Sequence, residues 1–432
     1  MGLFDRRAGS RAAMRVLFFD HTAELGGGEI ALWNLLGHLN PAAVKPIVVL
    51  GADGPLAERL RTDFETYILP LPWSVGRRKK DSLGVATLLQ IPAMFETLAY
   101  VFRLRRFIRM HRIDVVHTNS LKAHVIGGIA GRLSGRPVVW HLRDRIEDDY
   151  LPRSVVRMVR ALSRLIPTSI IAVSQATLST VRSPGVRPQA VRSKLPEVHA
   201  TRRDARAVVV HDGTAIRPLR AKETNVSAPF RIGLIGRISP WKGQHVFLRA
   251  AARVLERFPN ARFVIVGAPL FGEDGYNHEI RQLPTELGIA DSIEFAGFRE
   301  DIGRVIDELD MVVHASTVGE PFGQVIIEGM AAAKPVVATN GGGVPEIVND
   351  GITGILVPMG DAQSLADAMC ALLADPKRAR EMGIQGRQRV IDHFTVTITA
   401  TKVETVLGQI YSQAADGGCA ADARRSTDMD RH

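Results

Sequence analysis

Short apolar runs alternate with amphipathic segments along almost the whole chain. Six runs in the first half predict strands, and they read RVLFFD, KPIVVL, IDVVHT, RPVVWHL, SIIAVS and RAVVVHDG. Five more follow in the second half, namely FRIGLIG, ARFVIVG, DSIEFAG, DMVVHAS and KPVVAT. Several runs are almost continuous in Val and Ile, which is typical of parallel strands that are covered on both faces.

Helical periodicity fills the intervals between these runs. The segment 243–258 is the clearest predicted helix, because its apolar residues form one stripe: Phe247, Ala250, Ala251 and Val254. Strand–helix alternation on this scale predicts a doubly wound α/β sheet, and the alternation occurs twice. We therefore expect two Rossmann-like domains that face a cleft, where ligands of such sheets bind.

The chain length supports two domains. At 432 residues the chain exceeds the roughly 100–200 residues of one ordinary domain. The segment TAIRPLRAKETNVSAP is polar, has no clear period and ends in a proline before a new strand, so it predicts a linker. The expected divisions are a flexible N-terminus at 1–13, an N-terminal acceptor-side domain at 14–213, the linker at 214–229, a C-terminal nucleotide-sugar domain at 230–395, a last helix at 396–411 and a disordered tail at 412–432.

The low cysteine content and the lack of a signal-peptide pattern in the first thirteen residues predict a cytoplasmic protein. The two cysteines, Cys370 and Cys419, are too few for a disulfide framework, and no Cys/His cluster offers a metal cage. The first thirteen residues lack the apolar run of a signal peptide. The nearest approach to a membrane span is the segment 83–102, which Gln90, Pro92 and Glu96 interrupt, so we expect a buried helix there.

Positive charge is concentrated in the first half of the chain. Up to Ala228 there are 35 Lys and Arg against 19 Asp and Glu, a net charge of +16, and the remainder has 20 against 26, a net charge of −6. Nucleic acid is not an expected partner, because no recognition motif accompanies the charge and aromatic residues make up only 6%.

Contact with an anionic membrane surface is another explanation for this charge. VFRLRRFIRMHR and LPRSVVRMVRALSRLI combine Arg with apolar residues, and a basic cluster lies at 76–80. We hypothesise a peripheral contact on the inner face of the membrane. Ordinary surface helices of an Arg-rich domain are the alternative.

Two glycine-containing turns are candidates for a phosphate site. In IGRISPWKGQ, Arg237 and Lys242 lie in the turn and at the start of the next helix, an arrangement suited to a diphosphate. Solvated loop charges are the alternative. In HTAELGGGEIALWNLLGHL, Gly27 and Gly28 let the backbone approach a ligand closely, although a plain turn explains them as well. The pattern is not GxGxxG, so a dinucleotide fingerprint is weak.

A third turn carries carboxylates where a phosphate cradle would carry none. GEPFGQVIIEGMAAAKPVVATNGGGVPEIV contains Glu320, Glu328 and Glu346. A helix is predicted at 324–333, with Glu320 before it and Glu328 one turn inside it. The first two carboxylates are therefore too far apart to share a proton and can hold different parts of one ligand. A helix cap is the alternative for Glu320.

These motifs together resemble the family 4 (group 1) retaining glycosyltransferases of GT-B architecture. EPFGQVIIE resembles the E-x7-E signature of that family, and GRISPWKG is similar to its GR-x4-KG element. FAGF resembles its base-contacting turn, and GGVPEIVNDGITGILVP is similar to a further family segment. In the first domain GGGE, DVVHTNS and VVWHLRD fit the pattern too. The resemblance covers roughly residues 14–411.

The resemblance implies roles for the donor-site residues. Arg237 and Lys242 would bind the donor's diphosphate and stabilise the leaving group, helped by backbone N–H groups near Gly27 and Gly28. Glu328 would accept hydrogen bonds from the ribose hydroxyls, Glu320 would hold hydroxyls of the transferred sugar, and Phe298 would lie against the base. The backbone N–H groups of three residues would complete the sugar cradle: Phe322, Gly323 and Gln324.

The first domain matches the family at two histidines. His141, at the end of RPVVWHL, matches an active-site histidine near the reacting sugar, and His117 matches a positioning histidine. Residues satisfied by the backbone at a strand end are the alternative for both. Lys122 and Arg143 are further candidates for contact with the acceptor or the phosphates.

The implied function is sugar transfer from a UDP- or GDP-linked donor to a glycan or lipid-linked acceptor, with retention of configuration. No cofactor and no metal are expected, because such enzymes generally need none and the only Asp-x-Asp is Asp428–Asp430, in the predicted tail. A nucleotide-sugar 2-epimerase of the same architecture and a degenerate sugar-nucleotide-binding protein are the alternatives.

Overall fold

A computed structural model describes residues 12–72, 91–149, 151–181, 206–219, 229–270 and 272–429. Most of the expected N-terminal segment, the basic cluster at 76–80 and the greater part of the predicted linker lie outside these residues. The described chain forms two compact units. Unit 1 contains Met1–Ala172, Val181–Val210 and Ala400–His432, and unit 2 contains Val173–Thr180 and His211–Thr399.

Unit 1 is built on a parallel sheet of seven strands in the order β3-β2-β1-β4-β5-β6-β7. Its strands are β1 (Met14–Asp20), β2 (Val44–Leu50), β3 (Glu65–Ile68), β4 (Val115–Thr118), β5 (Val138–Leu142), β6 (Ser169–Ala172) and β7 (Arg206–Val209). Its helices are α1 (Gly27–Leu36), α2 (Pro55–Asp63), α3 (Ile91–Met110), α4 (Leu121–Leu133) and α5 (Arg153–Leu162). The next helix, α6 (Gln175–Val181), begins in unit 2.

Unit 2 repeats the design with a parallel sheet of six strands in the order β10-β9-β8-β11-β12-β13. Its strands are β8 (Arg231–Ile235), β9 (Arg262–Val266), β10 (Ile293–Gly297), β11 (Met311–His314), β12 (Val336–Thr339) and β13 (Ile355–Val357). Its helices are α7 (Gln244–Arg257), α8 (Asp274–Glu286), α9 (Ile302–Glu308), α10 (Gln324–Ala331), α11 (Val344–Ile347), α12 (Ala362–Ala374) and α13 (Pro376–His393). The last helix, α14 (Val396–Met429), starts in unit 2 and continues into unit 1.

Each sheet is buried between helices, which explains the continuous apolar runs. In unit 2 the ring of Phe247 on α7 packs edge-on against Phe263 on β9, with centroids 5.7 Å apart. In unit 1 the apolar face of α14 completes the core around β1 and β2. The buried residues that α14 contributes are Ala400, Val403, Leu407 and Ile410.

The two predicted doubly wound sheets are confirmed, and the eleven predicted strands all fall on observed ones. Two strands at or near sheet edges were missed. Strand β3 reads ETYI and is only half-buried, and β13 has three residues, so neither carries a clear apolar period.

The C-terminal prediction was wrong in one respect. The helix predicted to end near Tyr411 continues to Met429, through residues for which disorder was expected. Alanine has the highest intrinsic helix propensity, and this segment contains several alanines. The unit boundary also differs from the predicted domain boundary at 213, because the division falls between Val210 and His211 and residues from Ala400 onward belong to unit 1.

Within the described ranges, no helix combines the length and the apolar character that a membrane crossing requires. Helix α3 overlaps the segment 83–102 at residues 91–102, and residues 73–90 lie outside the described structure. The expectation of a buried helix is wrong for 94–102, where Met94, Phe95, Leu98 and Phe102 are exposed.

Candidate active site

In each sheet there is one pair of neighbouring strands at which the strand order reverses, so the loops that follow these two strands run in opposite directions. Several of the candidate residues lie in these loops. In unit 2 this point lies between β8 and β11. The carboxyl ends of two such strands form the usual ligand site of a parallel sheet. The loop after β8 carries Arg237 and Lys242, and the loop after β11 carries Glu320.

A glycine brings the two loops of unit 2 together. Lys242 ends a short 3-10 turn, Pro240–Lys242, and the next residue, Gly243, has a φ of 71° in the left-handed region. A Cβ atom built on Gly243 would lie 1.9 Å from the carbonyl oxygen of Ala315. Only glycine therefore permits this approach, which places Lys242 beside the loop that carries Glu320.

Lys242 and Glu320 form an ion pair in this structure. The Lys242 Nζ atom contacts Glu320 Oε1, and the Ser316 hydroxyl donates to the same oxygen at 2.9 Å. His314 Nε2 lies 3.3 Å from that oxygen. Burial alone would raise the pKa of Glu320, but Lys242 and His314 outweigh it and hold the pKa well below its usual range. Glu320 is therefore ionised at neutral pH.

Arg237 is matched with a second carboxylate. Its Nε atom lies 3.5 Å from Glu273 Oε2, and Glu273 Oε1 accepts a hydrogen bond of 2.6 Å from Ser239. The guanidinium of Arg237 and the ammonium of Lys242 also lie 5.6 and 4.4 Å from the centroid of Trp241. The two cations are thus held next to one indole, each with a carboxylate neighbour.

The turn before α10 does not use Glu320 as a helix cap. The N-cap position is Gly323, with a φ of 127°, and no side chain caps this helix. Glu320 is instead engaged with Lys242 and Ser316. The cap alternative for Glu320 is therefore wrong. Phe322 is buried in the same turn, where it stacks on His211 at 5.7 Å between centroids.

Glu328 lies one turn into α10 in a very different environment. Gln324 Nε2 is 3.4 Å from its Oε1 atom. Burial raises the pKa of Glu328 to about 7, against a smaller lowering effect of Gln324 and Arg217. Hydroxyl donors from a ligand would favour the ionised form of this carboxyl group and lower its pKa. Phe298, after β10, is 56% exposed.

In unit 1 the corresponding point lies between β1 and β4, and sequence reasoning missed its central residue. Asp20 ends β1 and is fully buried. Its carboxylate accepts hydrogen bonds from Ser120 Oγ at 2.7 Å and from Asn119 Nδ2 at 2.8 Å. Burial acts to raise the pKa of Asp20, but hydrogen bonds from His21 and these two residues lower it overall. Its position at the carboxyl end of the first strand was the available signal.

Arg143 joins this network. Its Nε atom donates to Asn119 Oδ1 at 2.8 Å, which links the loop after β5 with Asp20. A Cβ atom on Gly28 would lie 3.4 Å from Arg143 Cδ, and one on Gly27 would meet no atom within 4 Å. Helix α1 begins at Gly27 as expected. Lys122 lies at the start of α4 and is partly exposed.

His117 and His141 are paired with each other. His117 Nε2 lies 3.1 Å from His141 Nδ1, and both rings are fully buried. Burial lowers the pKa of His117 to about 3 and lowers the pKa of His141 well below its usual value, and Arg143 adds to both effects. Both rings are neutral at physiological pH, so one donates the shared proton and the other accepts it. A contact of either histidine with a substrate stays a prediction.

Comparison with solved structures defines the fold class. Alr3699/HepE from Anabaena, crystallised with UDP and glucose, aligns with a TM-score of 0.75 at 27% identity, over 91% of this chain and 99% of that chain. Sucrose-phosphate synthase from Thermosynechococcus elongatus aligns with a TM-score of 0.70 at 20% identity, over 93% and 100% of the two chains. The protein therefore has the GT-B fold, with a parallel sheet and interleaved helices in each unit.

Comparison with sequence families defines the family. Residues 216–389 match the model described as Glycosyl transferases group 1, and residues 25–193 match Glycosyltransferase Family 4. The D-inositol 3-phosphate glycosyltransferase of Corynebacterium efficiens is 34% identical over 194 residues, 43% of this chain and 44% of the relative. That of Corynebacterium diphtheriae is 36% identical over 181 residues, 41% and 42% of the two chains. The chain spans about half the length of the curated relatives it matches. By sequence and fold it belongs to the family 4 (group 1) glycosyltransferases.

Proposed function

We propose that the protein transfers a sugar from a UDP- or GDP-linked donor to a glycan or lipid-linked acceptor, with retention of configuration and without a bound metal. The observation that carries this proposal is the juxtaposition of Lys242 and Glu320 at the switch point of unit 2. A cation suited to phosphate and a carboxylate suited to sugar hydroxyls meet there at one place. The related structure that contains UDP and glucose supports the same ligand class.

The diphosphate is assigned to Arg237 and Lys242. Arg237 can bind phosphate oxygens in a forked geometry and Lys242 can supply a point charge. As the bond between C1 and the phosphate oxygen breaks, negative charge grows on the departing diphosphate. Fixed cations meet this charge without reorganisation, which is the main expected catalytic contribution. They can do so without a metal ion, and this is our reason for proposing metal independence.

Glu320 is assigned to the hydroxyls of the transferred sugar. It is ionised and nearly buried, so hydroxyl groups that replace water around it would form strong hydrogen bonds. We do not assign it as a nucleophile, because its Oε1 atom already accepts from Lys242 and Ser316. Glu328 is assigned to the ribose hydroxyls and Phe298 to the base.

Transfer is favoured over the two alternatives. The family models that match both halves of the chain are those of transferases. A 2-epimerase would consume the donor in the absence of any acceptor. A degenerate binding protein would bind the sugar nucleotide without cleaving it, so no free nucleotide would be formed.

A donor panel tests the proposal. Purified protein is incubated with UDP-glucose, UDP-N-acetylglucosamine or GDP-mannose, and thermal shift and nucleotide release are measured. We expect one donor to stabilise the wild type and to release nucleotide when an acceptor is present. Glu320→Ala should lose turnover and keep nucleotide binding, whereas Lys242→Ala should lose both. Lys377→Ala, an exposed lysine on α13, is the matched control. An unchanged nucleotide affinity in Lys242→Ala would remove the phosphate role.

A cytoplasmic location with peripheral contact to an anionic membrane is a further part of the proposal. Helix α3 exposes large apolar side chains at spacings that place them on one face: Met94, Phe95, Leu98 and Phe102. The same helix exposes three arginines: Arg103, Arg106 and Arg109. An apolar face beside arginines is suited to a surface of anionic lipid.

Liposome flotation tests this contact. We expect the protein to float with vesicles of phosphatidylglycerol and to remain behind with vesicles of phosphatidylcholine. Replacing Phe95 and Phe102 with serine should reduce flotation, whereas Ile384→Ser, at an exposed apolar residue of α13, should not. Equal flotation with both lipids would contradict the proposal.

A further inference from the structure

Glu346, which lies in the same sequence segment as Glu320 and Glu328, has hydrogen-bond partners that the proposed function does not use. Glu346 lies in α11, and its carboxylate accepts three hydrogen bonds. Gln175 N donates to Oε2 at 2.9 Å, Ala176 N donates to Oε1 at 2.9 Å, and His211 Nε2 lies 2.9 Å from Oε2. Burial acts to raise the pKa of Glu346, but these donors lower it overall. The group is thus an ionised carboxylate surrounded by protein donors.

The donors come from a segment of the chain that enters unit 2 after β6. Residues 173–180 follow this strand of unit 1 directly and belong to unit 2. Ser174 Oγ lies 2.5 Å from the carbonyl oxygen of Pro321, and Thr177 Oγ1 lies 3.0 Å from the same oxygen. The Thr177 N–H group donates to Ser174 Oγ at 2.9 Å, which fixes the two hydroxyls relative to each other. Glu346 therefore binds the segment 174–177, and this segment in turn binds Pro321, the residue after Glu320.

The chain just before Glu346 supports the same turn from its backbone. Gly343 N donates to the carbonyl oxygen of Glu320 at 2.8 Å. A Cβ atom on Gly343 would lie 2.6 Å from the Pro321 oxygen and 2.9 Å from Ser174 Cβ, so these backbones are in close contact. His211, the third partner of Glu346, stacks on Phe322.

We propose that Glu346 is a positioning residue for the sugar-binding turn, and that it acts through Ser174 and Thr177 on the Pro321 carbonyl. The proposal rests on the proposed function, in which Glu320 and the N–H groups after it hold the transferred sugar. The nucleotide is assigned to other side chains, namely Arg237, Lys242, Glu328 and Phe298. Loss of Glu346 should therefore weaken the binding of the sugar and leave the binding of the nucleotide unchanged.

Binding measurements with two probes separate these effects. Dissociation constants of UDP and of UDP-glucose are measured by calorimetry for the wild type and for Glu346→Gln. We expect the Kd of UDP to stay within about twofold and the Kd of UDP-glucose to rise about three- to tenfold, the range expected for the loss of one or two net hydrogen bonds. Glu381→Gln, at an exposed glutamate of α13, is the matched control and should change neither value. Equal weakening of both ligands, or no change in either, would overturn the proposal.

A second pair of variants avoids the risk that Glu346→Gln folds poorly. Thr177→Val removes the hydroxyl and keeps the shape of the side chain, whereas Thr177→Ser keeps the hydroxyl. We expect Thr177→Val to weaken UDP-glucose selectively and Thr177→Ser to bind it like the wild type. A purely structural role of this side chain would give the same result for both ligands in each variant.

Hydrogen exchange tests the positioning without any ligand. In Glu346→Gln the amides of residues 174–177, of Glu320 and of residues 322–324 should exchange at least about fivefold faster than in the wild type, while the amides of β9 should keep their wild-type rates. Unchanged exchange at 320–324 would overturn the proposal. If the wild type binds no nucleotide and no sugar nucleotide of the donor panel and exchange still rises at 320–324, the proposed function fails and the positioning contact stands.

Discussion

Lys242 and Ser316 both donate a hydrogen bond to the same carboxylate oxygen of Glu320, Oε1. The cation assigned to the donor's phosphate and the carboxylate assigned to its sugar are therefore direct partners. Lys242 helps to keep the nearly buried carboxyl group of Glu320 ionised. A donor that enters this site must satisfy both groups at once.

Removal of Lys242 should destabilise the fold through Glu320. In Lys242→Met the carboxylate stays buried and loses its main counter-charge, which for buried pairs costs about 3 kcal/mol or more. The double variant Lys242→Met with Glu320→Gln should recover most of that loss, because no unpaired charge remains. Urea unfolding of the two single variants and the double variant measures the coupling. Additive effects of the two substitutions would contradict the pairing.

Acid should destabilise the wild type partly through Glu320. The folded-state pKa of this group is depressed below its ordinary value of 4.5. Its contribution is therefore fully present above that value and is lost as the pH falls below it. Glu320→Gln should show a weaker dependence of unfolding free energy on pH in this acidic range. Parallel curves for the two proteins would count against an ionised, paired Glu320.

Nucleotide affinity should depend on pH through Glu328. The pKa of this group is about 7, and ribose hydroxyls that donate to it would lower that value in the complex. Binding then favours the deprotonated form, so the Kd of UDP should be constant above about pH 8 and rise by at most tenfold per unit below about pH 7. Calorimetry from about pH 5.5 to 8.5 measures this slope.

Two controls accompany the pH series. Glu328→Gln should bind UDP more weakly and lose the slope. Deoxy-UDP, which lacks one ribose hydroxyl, should show a smaller slope with the wild type. The same slope in Glu328→Gln would assign the titration to another group.

Gly243 should tolerate no side chain, unlike a glycine with the same backbone angle elsewhere. Gly243 and Gly288 have φ values of 71° and 70°, but a Cβ atom on Gly288 would meet nothing within 4 Å. Gly288→Ala should cost only the left-handed backbone, about 1 kcal/mol. Gly243→Ala should cost clearly more, because its methyl group would meet the Ala315 carbonyl, and it should also weaken UDP binding by moving Lys242. Urea unfolding and calorimetry measure both effects, and equal costs for the two variants would contradict the close approach.

The sequence determines the sheets better than it determines the contacts between loops. The strand runs are local and strongly periodic, so both doubly wound sheets follow from them. The pairing of Lys242 with Glu320 joins residues 78 positions apart, and that of His117 with His141 joins residues 24 positions apart. Such pairs depend on strand order and on the turn at Gly243, which a single sequence does not reveal.

Some residues were assigned to the right region without their actual partners. Asp20 and His314 were passed over, because a lone polar residue in or at the end of an apolar strand has no pattern of its own. Glu346 was recognised in its motif and received no role, since its donors lie about 170 positions away at Gln175 and Ala176. The extension of α14 was missed because polar composition was given more weight than the helix propensity of its alanines.

The route of the chain between the two units has a consequence for chimaeric enzymes. Residues Val173–Thr180 make an excursion into unit 2, and the chain returns from unit 2 for good only at Ala400. In a hybrid with a single crossover near residue 213, Pro321 would come from one parent, and its hydrogen-bond partners Ser174 and Thr177 would come from the other. Replacement of unit 2 by that of a related enzyme therefore requires the exchange of two segments together, Val173–Thr180 and His211–Thr399.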